Sequence, residues 1–190
     1  MTTLTDAEVE AFRNLCQLTY DRWVTRRVIF EHPDVEAFTH HKCADVLLLL
    51  NDITIEHTLL QMAKLHDPAE DKRLDRKNLT LDYIITFGGW DTQTTSVLEA
   101  LRGRLDVLLA KSLKPARNRV LCHNDLETLI NEPPLGNFDP GTDCEYFEVL
   151  QEFLSTVYEK SSRGKYEFGD IAKRDAEVFL AYINKGIDRN

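Results

Sequence analysis

The chain has 190 residues, of which 43% are hydrophobic and 29% charged, with only 8 glycines and 6 prolines. That size and composition suit one all-α domain spanning 1–190 with a single core, and they exclude a disordered or low-complexity chain. A net charge of -9 excludes a protein that coats nucleic acid through bulk electrostatics, because phosphate binding relies on Lys and Arg displacing counterions.

The N-terminal stretch Met1-Thr2-Thr3-Leu4-Thr5-Asp6 has neither the basic start nor the apolar run of a signal peptide, so the cytoplasm is the expected location. A capping box then opens the first helix, with Thr5 placed to accept from the third amide and Glu8 to reach back. Val9, Phe12, Cys16, Tyr20, Trp23 and Val28 follow at helical spacing, which predicts a helix to about Phe30. Trp23 reads as core rather than as a base-stacking platform. Pro33 breaks the helix at His32, and Asp34 can cap a short segment through Phe38.

A second long helix is predicted from near Asp45 to Leu65. It carries Val46, Leu47, Leu49, Leu50, Ile53, Leu60 and Ala63 on so many sides that it should be the central, most buried helix. The apolar run Ala44 to Leu50, with Asp45 inside it, is too short to span a bilayer, and no membrane association is expected. His66 to Lys72 reads as a polar connection, and Thr80 caps a short helix that Gly88-Gly89 terminates. Trp90 beside the glycines can be either a packing or a stacking residue.

Leu98, Leu101, Leu105 and Leu108 predict a helix from about Thr95 to Ala110, and Pro115 starts the next, which Pro133-Pro134 closes. Leu135 to Asp143 is the longest clear loop. Phe147, Leu150, Phe153, Leu154 and Val157 mark another helix, and Ala172, Ala176, Phe179, Ile183 and Ile187 the last. The four cysteines, Cys16, Cys43, Cys122 and Cys144, have no disulfide or ligand spacing and read as free thiols.

Chemistry concentrates in one place. Lys111, Lys114, Arg117 and Arg119 fall within nine residues that contain no acid, and His123 follows at the start of the helix after Pro115. The plain reading of such a run is a solvated loop. The chemical reading is metal-free RNA cleavage, in which the neighbouring 2′-hydroxyl attacks the phosphate. That reaction needs proton transfer near pH 7, suited to histidine, and charge stabilisation at the phosphoryl oxygens, suited to arginine.

On a regular helix Arg117 and His123 are about 120° and about 9 Å apart, so they do not share a face. Arg119, His123 and Glu127 do share one, either as an ordinary surface ladder or with Glu127 orienting the imidazole. Other groups are set aside. His40-His41-Lys42-Cys43 lacks the closely spaced ligand pairs of a zinc site. His57 and His66 read as surface or capping groups, Cys122 as packing, and Gly88-Gly89 lacks the setting of a phosphate loop. No metal or cofactor is expected.

Arginine, a polar residue and then histidine after four to six positions is the signature of the HEPN superfamily, and Arg117-Asn118 with His123 resembles it. The ordered combination of Leu65-His66-Asp67-Pro68-Ala69, Asn78-Leu79-Thr80-Leu81 and the Arg-Asn-to-His segment is similar to the abortive-infection-U-like branch. The resemblance implies a helical bundle that forms a homodimer, two copies of the motif facing one cleft, so that no single shared face is needed. It implies a metal-independent endoribonuclease with an RNA substrate, found in phage defence or toxin modules and, in the toxin modules, opposed by a cognate inhibitor protein. His123 would then move protons, Arg117 would stabilise the phosphoryl group and Asn118 would support the local geometry. Lys114 and Arg119 are added here as substrate-phosphate contacts on charge and proximity. Some toxins of the family carry a tyrosine two residues after the histidine, which a partner nucleotidyltransferase modifies. Here that residue is Asp125, so regulation by that route is not expected. Other superfamily members act as binding modules, and a non-catalytic module for RNA, nucleotide or a partner protein is the alternative.

Overall fold

The computed structural model describes residues 3–32, 44–71, 73–112 and 141–187. Among them are six helices, α1 (Asp6–Phe30), α2 (Ala44–Leu65), α3 (Leu81–Phe87), α4 (Thr92–Ser112), α5 (Thr142–Lys160) and α6 (Ile171–Ile187). A two-stranded antiparallel hairpin, β1 (Glu70–Asp71) with β2 (Arg76–Lys77), pairs Glu70 with Lys77 and Asp71 with Arg76. The fold is therefore all-α, and no helix among the described residues is long and apolar enough to cross a membrane.

Local chemistry sets the helix starts. The Thr5 amide donates to Glu8 Oε2 at 2.7 Å and the Glu8 amide donates to Thr5 Oγ1 at 3.3 Å, the reciprocal capping box expected of this sequence. Thr80 has extended backbone and accepts from the Tyr83 amide at 3.2 Å. Asp91 accepts from the Thr94 amide at 2.7 Å, so α4 begins at Thr92, a turn earlier than its leucines announce. The short segment from Asp34 through Phe38 and the predicted helix after Pro115, closed by Pro133-Pro134, lie outside the described residues, as does most of the Leu135 to Asp143 loop. Thr142 and Asp143 already belong to α5.

Two compact units emerge, Met1–Cys16 with Leu59–Glu167, and Gln17–Thr58 with Phe168–Asn190. In the first unit α4 and α5 pack antiparallel. Asp91, just before α4, lies 3.9 Å from Lys160 at the end of α5, and Arg104 lies 3.3 Å from Glu152. Phe147, Leu150, Phe153, Leu154 and Val157 of α5 are all buried, together with Tyr146 and Val149. They meet Leu98, Leu101 and Leu105 of α4 and Phe12 of α1, whose ring sits 6.0 Å from that of Phe153. The helix with the most buried side chains among the described residues is thus α5. The expectation that α2 is the most buried helix is corrected: Val46, Leu48, Leu49, Leu50 and Ile53 are each about half exposed, and only its C-terminal end contributes Leu59, Met62, Ala63 and Leu65 to the core.

In the second unit the phenol of Tyr20 stacks on Phe168 at 4.4 Å, and the Gly169 amide donates to Gln17 Oε1 at 3.1 Å. Arg26 Nε donates to Asn51 Oδ1 at 3.2 Å, joining α1 to α2. Trp23, expected in the core, is half-buried. It lines an open concavity of about 400 Å³ with Tyr20, Arg27 and Lys173, and the Arg27 guanidinium lies 5.0 Å over its ring. On α6 the buried positions are Ala176 and Leu180 rather than Phe179, which is half exposed. Positions three and four residues after Ala176 both lie near its face of the helix, and the structure buries the second of them.

The segment after α2 was expected to be a plain polar connection and instead forms the hairpin. Asp71 Oδ1 accepts from the Arg73 amide at 3.0 Å, and Asp75 takes a positive φ of 46° at the turn. Asn78 closes the hairpin by donating from its amide nitrogen to Ala69 O at 2.8 Å and from Nδ2 to Pro68 O at 3.0 Å.

Candidate functional site

Lys114, Arg117, Asn118, Arg119 and His123 all lie outside the described residues, together with Cys122, Asp125 and Glu127. His40-His41-Lys42-Cys43 lies outside them too. What the structure does show is how the stretch is anchored. It runs between the end of α4 and the start of α5, and because those helices are antiparallel both attachment points are at one end of the pair.

A polar network crosses the first unit near that end. His66 Nδ1 is 2.7 Å from Asp106 Oδ1, and His66 Nε2 is 3.0 Å from the Tyr146 hydroxyl. The His66 side chain is 6% exposed and Tyr146 is fully buried. Asp106 Oδ2 lies 3.1 Å from Arg102 Nε, an ion pair not aligned as a hydrogen bond, and Arg102 also donates to Asp82 of α3. Asp106 is six residues before the last residue of α4, about 9 Å along the axis, and Tyr146 is the fifth residue of α5. The network therefore ties the turn after α2, α3 and the adjoining ends of α4 and α5 together.

The chemistry of this chain of groups is one-directional when His66 is neutral. Nδ1–H donates to the carboxylate, which leaves Nε2 to accept from the tyrosine hydroxyl. Burial alone would raise the Asp106 carboxyl, but the bond from His66 and the charge of Arg102 outweigh it and hold it below the ordinary range. Burial pushes the Tyr146 hydroxyl well above its ordinary value. An aspartate, a histidine and a hydroxyl in a row resemble the order of a catalytic triad. Here the hydroxyl is sealed in the core, so it cannot meet a substrate, and the row serves to position the helices.

This corrects the reading of His66 as a surface or capping group. No local sequence signal marks it, because Asp106 and Tyr146 are 40 and 80 residues away and only the packing of α4 and α5 brings them to it.

A second cluster sits at the start of α1. Tyr83 donates to Glu8 at 2.5 Å and Tyr158 to Glu10 at 2.7 Å, while Arg163 reaches both Glu10 and, at 2.5 Å, Asp6. The Tyr83 bond, with those from Thr5, holds the Glu8 carboxyl down at about 2. The bond from Tyr158 lowers Glu10, against the opposing effect of burial. All these groups are engaged with one another, which is the pattern of a brace.

Trp90 also acquires a role. Its indole Nε1–H donates to Ile84 O at 2.8 Å, satisfying a carbonyl at the end of α3, and the ring lies against Gly88. That assigns it to packing rather than base stacking. Cys16 is a buried free thiol, pushed up by burial, whereas Cys43 and Cys122 lie outside the described residues. No group of three potential metal ligands occurs among the described residues. Comparison with protein-family models, with curated proteins and with solved structures returns no match to this chain.

Proposed function

We propose that the chain is a metal-independent endoribonuclease of HEPN type, acting as a homodimer on RNA in phage defence or in a toxin module with a cognate inhibitor. The observation that carries the reading is the sequence Arg117-Asn118 followed by His123 in an acid-free stretch that also carries Lys111, Lys114 and Arg119. The all-α fold is compatible with it. His123 accepts the proton of the 2′-hydroxyl or delivers one to the departing 5′-oxygen, with the second copy of the motif available for the complementary transfer. Arg117 stabilises the charge that builds on the phosphoryl oxygens as the new P–O bond forms and the bond to the 5′-oxygen breaks. Asn118 supports the local geometry, and Lys114 and Arg119 hold neighbouring phosphates.

The test is incubation of a mixed RNA pool with the purified chain in EDTA. The reading expects fragments with 2′,3′-cyclic phosphate and 5′-hydroxyl ends. Intact RNA, or cleavage that leaves other ends, contradicts it. A second reading, a non-catalytic module binding RNA, nucleotide or a partner protein, draws support from Asp125, an acid two residues after the histidine in a chain of net charge -9. It predicts retention of RNA, nucleotide or a partner without strand scission.

A further inference from the structure

Helix α2 carries its apolar residues on the wrong side for a core helix. At about 100° per residue, Val46, Leu49, Leu50 and Ile53 share one face within an arc of about 100°, and they are 58%, 59%, 47% and 52% exposed. The opposite face, which meets α1 through the Arg26–Asn51 bond, presents half-buried Asn51 and Thr54 and buried Thr58. Thr54 and Thr58 donate their hydroxyls back to Leu50 O at 2.7 Å and to Thr54 O at 2.8 Å, so they need no partner outside the helix. A contiguous apolar ridge of this kind marks a contact surface.

Charge decides what covers it. Asp45, Asp52 and Glu56 are exposed along one flank of the ridge, and no Lys or Arg occurs from Ala44 to Ala63. Two copies of α2 packed antiparallel would set these acidic rows against each other. Helix α6 has the complementary pattern. Ile171, Val178 and Tyr182 form an outward ridge, 63%, 50% and 69% exposed, with Arg174 and Lys185 exposed along its flank on the corresponding side and Asp175 exposed at its other edge. Asp45 and Glu56 are eleven residues apart, and so are Arg174 and Lys185. When α2 and α6 are set face to face and antiparallel, the acidic and basic rows fall together in register, Asp45 with Lys185 and Glu56 with Arg174.

We infer that the Gln17–Thr58 and Phe168–Asn190 unit is a self-association surface, on which α2 of one copy lies antiparallel against α6 of a second copy and the reciprocal contact closes a two-fold dimer. Each copy supplies both halves, so the Asp45 and Glu56 row of one copy meets the Lys185 and Arg174 row of the other. The inference is drawn from this surface and holds whether or not RNA is cut.

The test is sedimentation equilibrium of the full chain over a concentration series, with far-UV circular dichroism confirming unchanged helix content in each variant. The wild type is expected to be a dimer, and Ile53→Asp or Val178→Asp to be monomeric. Glu56→Arg and Arg174→Glu should each raise the dimer dissociation constant about tenfold or more, because a dimer holds two such pairs. The double reversal should return it to near the wild-type value. A monomeric wild type, a dimer indifferent to these changes, or a double reversal no better than either single one overturns the inference. In the second of these cases the homodimeric ribonuclease reading survives, built on another face.

Discussion

Removing the hydroxyl of Tyr146 isolates the contribution of the buried network. Tyr146→Phe keeps the ring in a site with no exposed surface and deletes the donor that lies 3.0 Å from His66 Nε2. Because the His66 side chain is only 6% exposed, water cannot replace that donor, and the imidazole nitrogen is left unsatisfied. Such a loss costs about 1–3 kcal/mol, a sizeable part of a total stability on the order of 5–15 kcal/mol. His66→Ala should cost more, about 3 kcal/mol or above, because it opens a cavity and strands the buried hydroxyl of Tyr146. In that background Tyr146→Phe removes an already orphaned group and should be close to neutral. A double-mutant cycle by urea unfolding at pH 7 should therefore give a coupling energy of about 1–2 kcal/mol. A Tyr146→Phe cost below about 0.5 kcal/mol, or additive effects of the two changes, would refute the network as a determinant of stability.

Three further outcomes follow from local geometry. A Cβ on Gly88 would lie 1.9 Å from Trp90 Nε1, so Gly88→Ala should expel the indole, break its bond to Ile84 O, cost about 2 kcal/mol and shift the tryptophan emission. Gly103 in α4 is exposed with nothing within 4 Å of its Cβ position, so Gly103→Ala should stabilise the fold by about 0.5–1 kcal/mol in thermal unfolding. Glu8→Ala removes one half of the α1 capping box and should cost about 1 kcal/mol at pH 7 by urea unfolding. The Glu8 carboxyl is depressed from 4.5 to about 2 in the folded protein, so its contribution is present above the unfolded value. It should fade as pH falls through that window, and wild type and variant should converge near the lower limit. A difference that persists at the low end of the window would contradict the assignment.

Much of the fold is written in local pattern. The Thr5–Glu8 box, the Thr80 cap and the apolar spacings of α1, α4 and α5 act within one or two turns, so they are readable from the chain. Burial is less legible, because a leucine-rich helix signals only that it seeks apolar contact. The ridge of α2 faces outward while its Asn51 and Thr58 face inward, an arrangement that composition cannot distinguish from a core helix. The Glu70–Lys77 hairpin was missed because two-residue strands of charged residues carry no alternation. His66 was missed because its partners come from α4 and α5. Arg117, Asn118 and His123 can be read only as residue types in order and lie outside the described residues, whereas the His66–Asp106–Tyr146 network leaves no local trace in the sequence.

The most direct test of the ribonuclease reading compares wild type with Arg117→Ala and His123→Ala on RNA in EDTA, after circular dichroism and size exclusion have shown the three to be folded and assembled alike. The account predicts cleavage by the wild type, ending in 2′,3′-cyclic phosphates, and loss of cleavage by at least a hundredfold in both variants, the scale of a general acid–base group or an electrostatic clamp. Variants that cut as fast as the wild type would remove Arg117 and His123 from the chemistry, and intact RNA with all three would favour the binding module.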